Sequence, residues 1–141
     1  MKKRVMCVHT ELVREGSVLY EGKDGNTGIT TTEEAAGFAA SFFGKQDKEL
    51  FYVCAVNGEL EPVLMELVAK GSKNVCYAEP ADIFKSAIMA NAYGIFCFHN
   101  HPGGRAKASK EDIDLTARLE ACGVMPVSYT HLRAHETLRH L

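Results

Sequence analysis

The chain has 141 residues, 46% of them hydrophobic and 24% charged, with a formal net charge of −2. That length gives one domain with a real core. The composition excludes a disordered or fibrous chain, and the near-neutral balance excludes a strong basic field that would recruit nucleic acid.

No apolar run is long enough to span a bilayer, and the basic start Met1-Lys2-Lys3-Arg4 is not followed by a signal-peptide core. The five cysteines, Cys7, Cys54, Cys76, Cys97 and Cys122, are dispersed with no CxxC pair. Such a set inside apolar segments implies reduced, buried thiols and a cytoplasmic location.

In chain order, residues 4–13 contain strand formers such as Val5 and Cys7, and residues 17–20 continue or pair with them. Residues 23–28, KDGNTG, are turn material. Thr31-x-x-Glu34 is a capping box. It opens a helix rich in Ala35, Ala36, Phe38, Ala39, Phe42 and Phe43, which Gly44 can end. Residues 50–56, LFYVCAV, read as a buried strand. Asn57-Gly58 then signals a hairpin into a second strand from about 60 to 68. Pro62 stands near its start, where a missing donor is tolerated at an edge or bulge, and Gly71 breaks it. Pro80 marks a helix start, with Ile83, Phe84, Ala87 and Ile88 as its apolar stripe. A short buried strand runs from Gly94 to Phe98 and ends at His99. A helix follows from Ser109 to about Cys122, stopped by Gly123. A hairpin followed by helix, strand and helix implies an α/β (α+β) fold, a mixed sheet with flanking helices.

The chemistry concentrates where that third strand ends. His99 and His101 stand two apart in extended backbone, so their imidazoles project to one side. Pro102, Gly103 and Gly104 force a turn, and Asp112 lies in the first turn of the helix opened by Ser109. Two imidazoles and a returning carboxylate fill three positions of a tetrahedral Zn2+ site and leave the fourth for water, the arrangement of catalytic zinc. The same residues admit a plainer reading. Ser109-x-x-Asp112 is also a capping pair before Ile113, Leu115 and Leu119, and the macrodipole alone favours Asp at a helix start. Cys97 alternates with His99, although a packed strand residue is the simpler reading.

Hydrolysis at such a site needs a base outside the metal's own ligands. The candidates are Glu59, Glu61, Glu66, Glu79 and Glu111. Glu66 is set apart by its apolar surroundings, Val63-Leu64-Met65-Glu66-Leu67-Val68, where a lone buried carboxylate is costly unless paired or near a metal. Strand alternation equally allows it to face solvent.

The spacing His99-x-His101, seven residues, Ser109, two residues, Asp112 resembles the metal-binding signature of the JAB/MPN (JAMM) metalloproteases. The wording HNHPGG followed by SKEDI is similar to the RadC branch. The likeness extends upstream over PADIFK and Asn91-Ala92, and more loosely to about Leu19. The resemblance implies the JAB/MPN, cytidine-deaminase-like architecture over residues 1–127, with its core at about 29–127 and its C-terminal strands missing. It also implies a zinc-dependent hydrolase of peptide or isopeptide bonds in a peptide or protein substrate. One Zn2+ per chain would be held by His99, His101 and Asp112, with Glu66 as general base and Ser109 supporting the oxyanion. Gly103 stands where the RadC pattern usually has serine, and Arg105 where an acidic residue is common; neither is a ligand position. The helical DNA-binding region of longer RadC proteins has no counterpart here, so the family's association with DNA repair is not expected to carry over.

Two other readings compete. A nucleic-acid-associated accessory module has Arg105, Lys107 and Lys110 as its local support, a set that is ordinarily just solvated. An inactive MPN-like scaffold conflicts with a complete ligand set. No membrane partner is implied. Residues 128–141, SYTHLRAHETLRHL, resemble a translated sequencing-adapter peptide. They are expected to form a non-native, mobile tail, and His131, His135 and His140 are discounted as ligands on that ground.

Overall fold

The computed structural model describes residues 1–22, 24–43, 47–71, 78–102, 110–123 and 128–133. The elements follow in the order α1 (Thr32–Phe43), β1 (Leu50–Val56), β2 (Pro62–Lys70), α2 (Pro80–Met89), β3 (Gly94–His99), α3 (Lys110–Gly123) and β4 (Ser128–Arg133). The strands form one sheet in the order β2-β1-β3-β4. β1 is antiparallel to both β2 and β3, whereas β3 and β4 are parallel. The mixed sheet with flanking helices is the α/β architecture that the sequence implies. Among the described residues, no helix is long and apolar enough to cross a membrane.

The capping box that starts α1 is fully made. The Glu34 amide donates to Thr31 Oγ1 at 3.2 Å, and Glu34 Oε2 accepts from the amides of Thr31 at 3.1 Å and Thr30 at 2.8 Å. These bonds satisfy donors that a helix start otherwise leaves without partners. They also hold the Glu34 carboxyl below its ordinary value, the Thr30 amide contributing most.

β1 and the Gly94–Phe98 run of β3 are apolar because both of their faces are covered. Leu50, Cys54, Val56, Phe96 and Phe98 face α1 through Ala35, Phe38 and Ala39. Phe51, Val53, Ala55, Ile95 and Cys97 face α2 and α3 through Ile83, Phe84, Ala87 and Leu119. Strands buried on two sides read as continuous hydrophobic runs rather than alternating ones. Cys97 is therefore a core residue, and burial pushes its thiol up, away from the thiolate a metal ligand needs. The expectation of buried thiols is met at Cys54 and Cys97, whereas Cys7 and Cys122 are exposed.

The hairpin between β1 and β2 forms where Asn57-Gly58 signals it, but with a longer turn. The Leu60 amide donates to Asn57 O, the Asn57 amide donates to Glu61 O, and the left-handed residue is Leu60, at φ 61°. An αL residue at the end of the turn is the geometry of three-residue hairpin loops. Asn57 Oδ1 accepts from the Glu59 and Glu61 amides, so the asparagine shapes the turn through its side chain as well as its backbone.

Two expectations are corrected. Residues 1–22 contain no helix or strand, and Val5, Met6 and Val8 are exposed. Strand composition alone does not make a strand, because the preference is realised only by packing within a sheet, and this sheet is built from β2, β1, β3 and β4. The second correction concerns the tail. Residues 128–133 form a strand that pairs with the whole of β3, from Gly94↔Ser128 to His99↔Arg133. The β3 edge would otherwise present a row of unpaired backbone groups, which any extended segment following α3 can satisfy. Residues 134–141, with His135 and His140, lie outside the described residues.

Candidate metal centre

The β1–β3 ladder ends at the pair Phe51↔His99. His99 is 4% exposed and shares its sheet face with Cys97 and Phe51, the face covered by α2 and α3. On α3, Asp112, Leu115 and Leu119 follow the three- and four-residue spacing of one helix face. Leu119 is fully buried against the sheet and Leu115 packs beside it. Burial of that stripe turns Asp112 inward, toward the end of β3.

His99, His101 and Asp112 consequently converge. His99 Nδ1 lies 3.6 Å from Asp112 Oδ1, and His101 Nε2 lies 3.5 Å from Asp112 Oδ2. One ligand atom from each residue falls within 4.8 Å of the others, the group of this kind found among the described residues. A tetrahedral ion with bonds of about 2.0–2.2 Å separates its ligand atoms by roughly 3.3–3.6 Å. Each imidazole sets a nitrogen at about that separation from one oxygen of the Asp112 carboxylate, and the donor set, two imidazoles and a carboxylate, suits Zn2+ and other borderline divalent ions. The residues therefore fit a metal.

A fourth side chain completes the arrangement. Glu49, immediately before β1, is buried, and its Oε1 lies 3.3 Å from His101 Nδ1. His101 thus meets a carboxylate at each ring nitrogen. A carboxylate on the far nitrogen of a ligand imidazole fixes its tautomer and ring orientation. Sequence reasoning missed Glu49. Nothing local marks it, because its partner lies beyond the end of β3; the available signal was a charge directly abutting a fully apolar strand.

The other sequence candidates sort by their partners. Ser109, Gly103, Arg105 and Lys107 lie outside the described residues, while Lys110 is exposed at the start of α3. The Glu61 carboxylate accepts from Thr27 and Asn57, and these bonds hold it below its ordinary value. Glu79 pairs with Arg118 at 2.6 Å, and Glu59 and Glu111 are exposed. Glu66 stands opposite Val53 in β2, on the sheet face that carries His99, and is partly buried. Its Oε2 is buried and has no hydrogen-bond partner among the described residues. Glu66 is not a member of the close group of His99, His101 and Asp112.

A family model described as a RadC-like JAB domain matches residues 29–128. A UPF0758 protein of Staphylococcus haemolyticus is 35% identical over 95 residues, covering 67% of this chain and 42% of that protein. A UPF0758 protein of Clostridium beijerinckii matches to the same extent. One of Caldanaerobacter subterraneus is 32% identical over 98 residues, covering 70% of this chain and 42% of its own length. The chain thus spans about two fifths of the length of the curated relatives it matches. The match runs from just before α1 through the helix bearing Asp112 to the start of β4, and on it the chain belongs to the RadC-like JAB domain family.

Proposed function

We propose that the domain is a zinc-dependent hydrolase of peptide or isopeptide bonds, with His99, His101 and Asp112 holding one ion per chain. The observation that carries this reading is the convergence of those three side chains at ligand-to-ligand distances, backed by a buried carboxylate on His101. When bound, such an ion supplies Lewis acidity and lowers the pKa of water to about 7. The chain's own residues supply the rest. Asp112 and the two imidazoles fix the ion at the sheet end. The Glu49 carboxylate sits on the far nitrogen of His101 and fixes the tautomer and orientation of that ring. Glu66, the base chosen from the sequence, is assigned to hold the proton of the attacking water; its support is its sheet face and its buried Oε2, which has no hydrogen-bond partner among the described residues. Ser109 is assigned to oxyanion support on the sequence resemblance alone.

The test is metal analysis of purified protein with and without His101, joined to an assay on isopeptide-linked and linear peptide substrates. The parent chain is expected to retain about one zinc, and His101→Ala to lose it. A full equivalent in the mutant would refute the site. Zinc without hydrolysis, together with salt-dependent DNA affinity, would favour the nucleic-acid reading instead.

A further inference from the structure

Between the two histidines stands Asn100, whose side chain is turned away from them. It is 6% exposed and makes two hydrogen bonds to a distant part of the chain. Its Oδ1 accepts from the Leu50 amide at 2.7 Å, and its Nδ2 donates to the Lys48 carbonyl at 3.1 Å. Lys48 C=O belongs to the peptide group before Glu49, and Leu50 N–H to the peptide group after it. One amide therefore fixes both peptide planes that bound the Glu49 Cα. The Glu49 carbonyl is held in turn by the Gly71 amide at 2.8 Å.

The position of Asn100 explains why a side chain does this. The last β1–β3 backbone pair is Phe51↔His99, and one step further the backbone must leave the ladder so that His101 can approach Asp112. The Asn100 amide continues the pairing after the backbone has turned away, offering one acceptor and one donor as a backbone residue would. Aspartate is isosteric but offers no donor, and would set a carboxylate oxygen against the Lys48 carbonyl.

We propose that Asn100 is the positioning residue of this centre: by clamping the backbone on both sides of Glu49, it sets the Glu49 carboxylate against His101 Nδ1 and so orients the His101 ring. The assignment deepens the metal-centre reading and rests on it for the consequence at the ion, while the clamp itself is a property of the metal-free protein. An amide that served only to stabilise the loop would lower the melting temperature and leave the His101 ring as it was.

The experiment compares the parent with Asn100→Asp, Asn100→Ser and Glu49→Gln. In metal-free protein at a fixed, mildly alkaline pH, the nitrogen resonances of the His101 ring are read by NMR, with those of His99 as the internal control. Zinc affinity is then read by competition with a chelator. Asn100→Asp and Glu49→Gln are expected to displace the His101 resonances in the same sense. Each should weaken zinc roughly 10- to 100-fold, the usual cost of losing a partner of a metal ligand. The double variant should be no weaker than Glu49→Gln alone, because both changes remove one arrangement. A folded Asn100→Asp protein with unshifted His101 resonances overturns the proposal, as does additive loss of zinc affinity in the double variant. If Asn100→Asp does not fold, Asn100→Ser decides by the same readouts. Displaced His101 resonances in a protein whose parent fails to bind zinc would uphold the clamp and sink the metal hydrolase.

Discussion

Glu49 Oε1 lies 3.3 Å from His101 Nδ1, so the residue that precedes the first strand reaches the residue just beyond the end of the third. The contact sets a carboxylate behind the ring of a ligand imidazole, on the nitrogen opposite the one beside Asp112. Glu66→Gln is expected to keep zinc and to lower turnover by at least ~100-fold, the usual scale for a lost general acid–base group. Glu49→Gln is expected to weaken zinc and to recover turnover to within a few-fold of the parent once zinc is saturating. Steady-state rates on a cleaved isopeptide substrate, measured with zinc content checked in each variant, decide between them. The reverse ordering would move the role to Glu49.

The stripe that aims Asp112 can be weakened without touching the site. Leu119 is fully buried between α3 and the sheet. Leu119→Ala is expected to cost about 2–5 kcal/mol, the range for truncating a buried leucine, and to weaken zinc as well because α3 loses its seating. Denaturant titration of the metal-free variant gives the first quantity and chelator competition the second. Unchanged zinc affinity would mean that α3 is held in place by other contacts.

At the other end of the chain the α1 cap gives a pH signature. Thr31→Ala is expected to cost about 1 kcal/mol, as loss of a helix cap usually does. The Glu34 carboxyl, held low by the Thr30 and Thr31 donors, contributes stability that is complete above its ordinary value of 4.5. That contribution is lost as the pH falls through the depressed folded value. Because Glu34 is solvated the effect is small and salt-sensitive. Melting temperatures across acid pH should fall more steeply for the parent than for Glu34→Gln; parallel curves would remove the cap from the acid limb.

Deleting residues 128–141 strips β4 from β3 and leaves the buried, apolar β3 as an edge without a partner. The truncated chain is expected to melt lower and to associate at high concentration, which scattering would detect. A monodisperse truncation with the parent's melting temperature would show that the β3–β4 pairing contributes nothing in solution.

The parts legible in the sequence were those with local causes. Thr31 and Glu34 announce their cap because both partners lie within one turn. Pro80 stands at the start of α2, and the apolar runs of β1 and β3 follow from burial on both faces. The pairing of His99 with His101 was readable because residues two apart in a strand share a side. The illegible parts had distant causes. Glu49 takes its meaning from His101 and Asn100, which no window around it contains. Residues 128–133 form a strand because β3 has an open edge, a property of the sheet and not of their composition. Residues 4–13 have strand composition but do not join the sheet.

The ladder that carries His99 joins segments far apart in the chain, with Leu50 and Asn100 linked across 50 residues, whereas β1 and β2 are joined by a short turn. Loop-closure entropy makes the short hairpin the earlier event and the insertion of β3 the later one. The ligand cluster therefore does not exist in a chain that has formed only its hairpin, and Zn2+ should leave the earliest refolding phase untouched while slowing the unfolding of the finished domain. Pulsed hydrogen exchange during refolding should find the amides of β1 that face β2 protected before those that face β3.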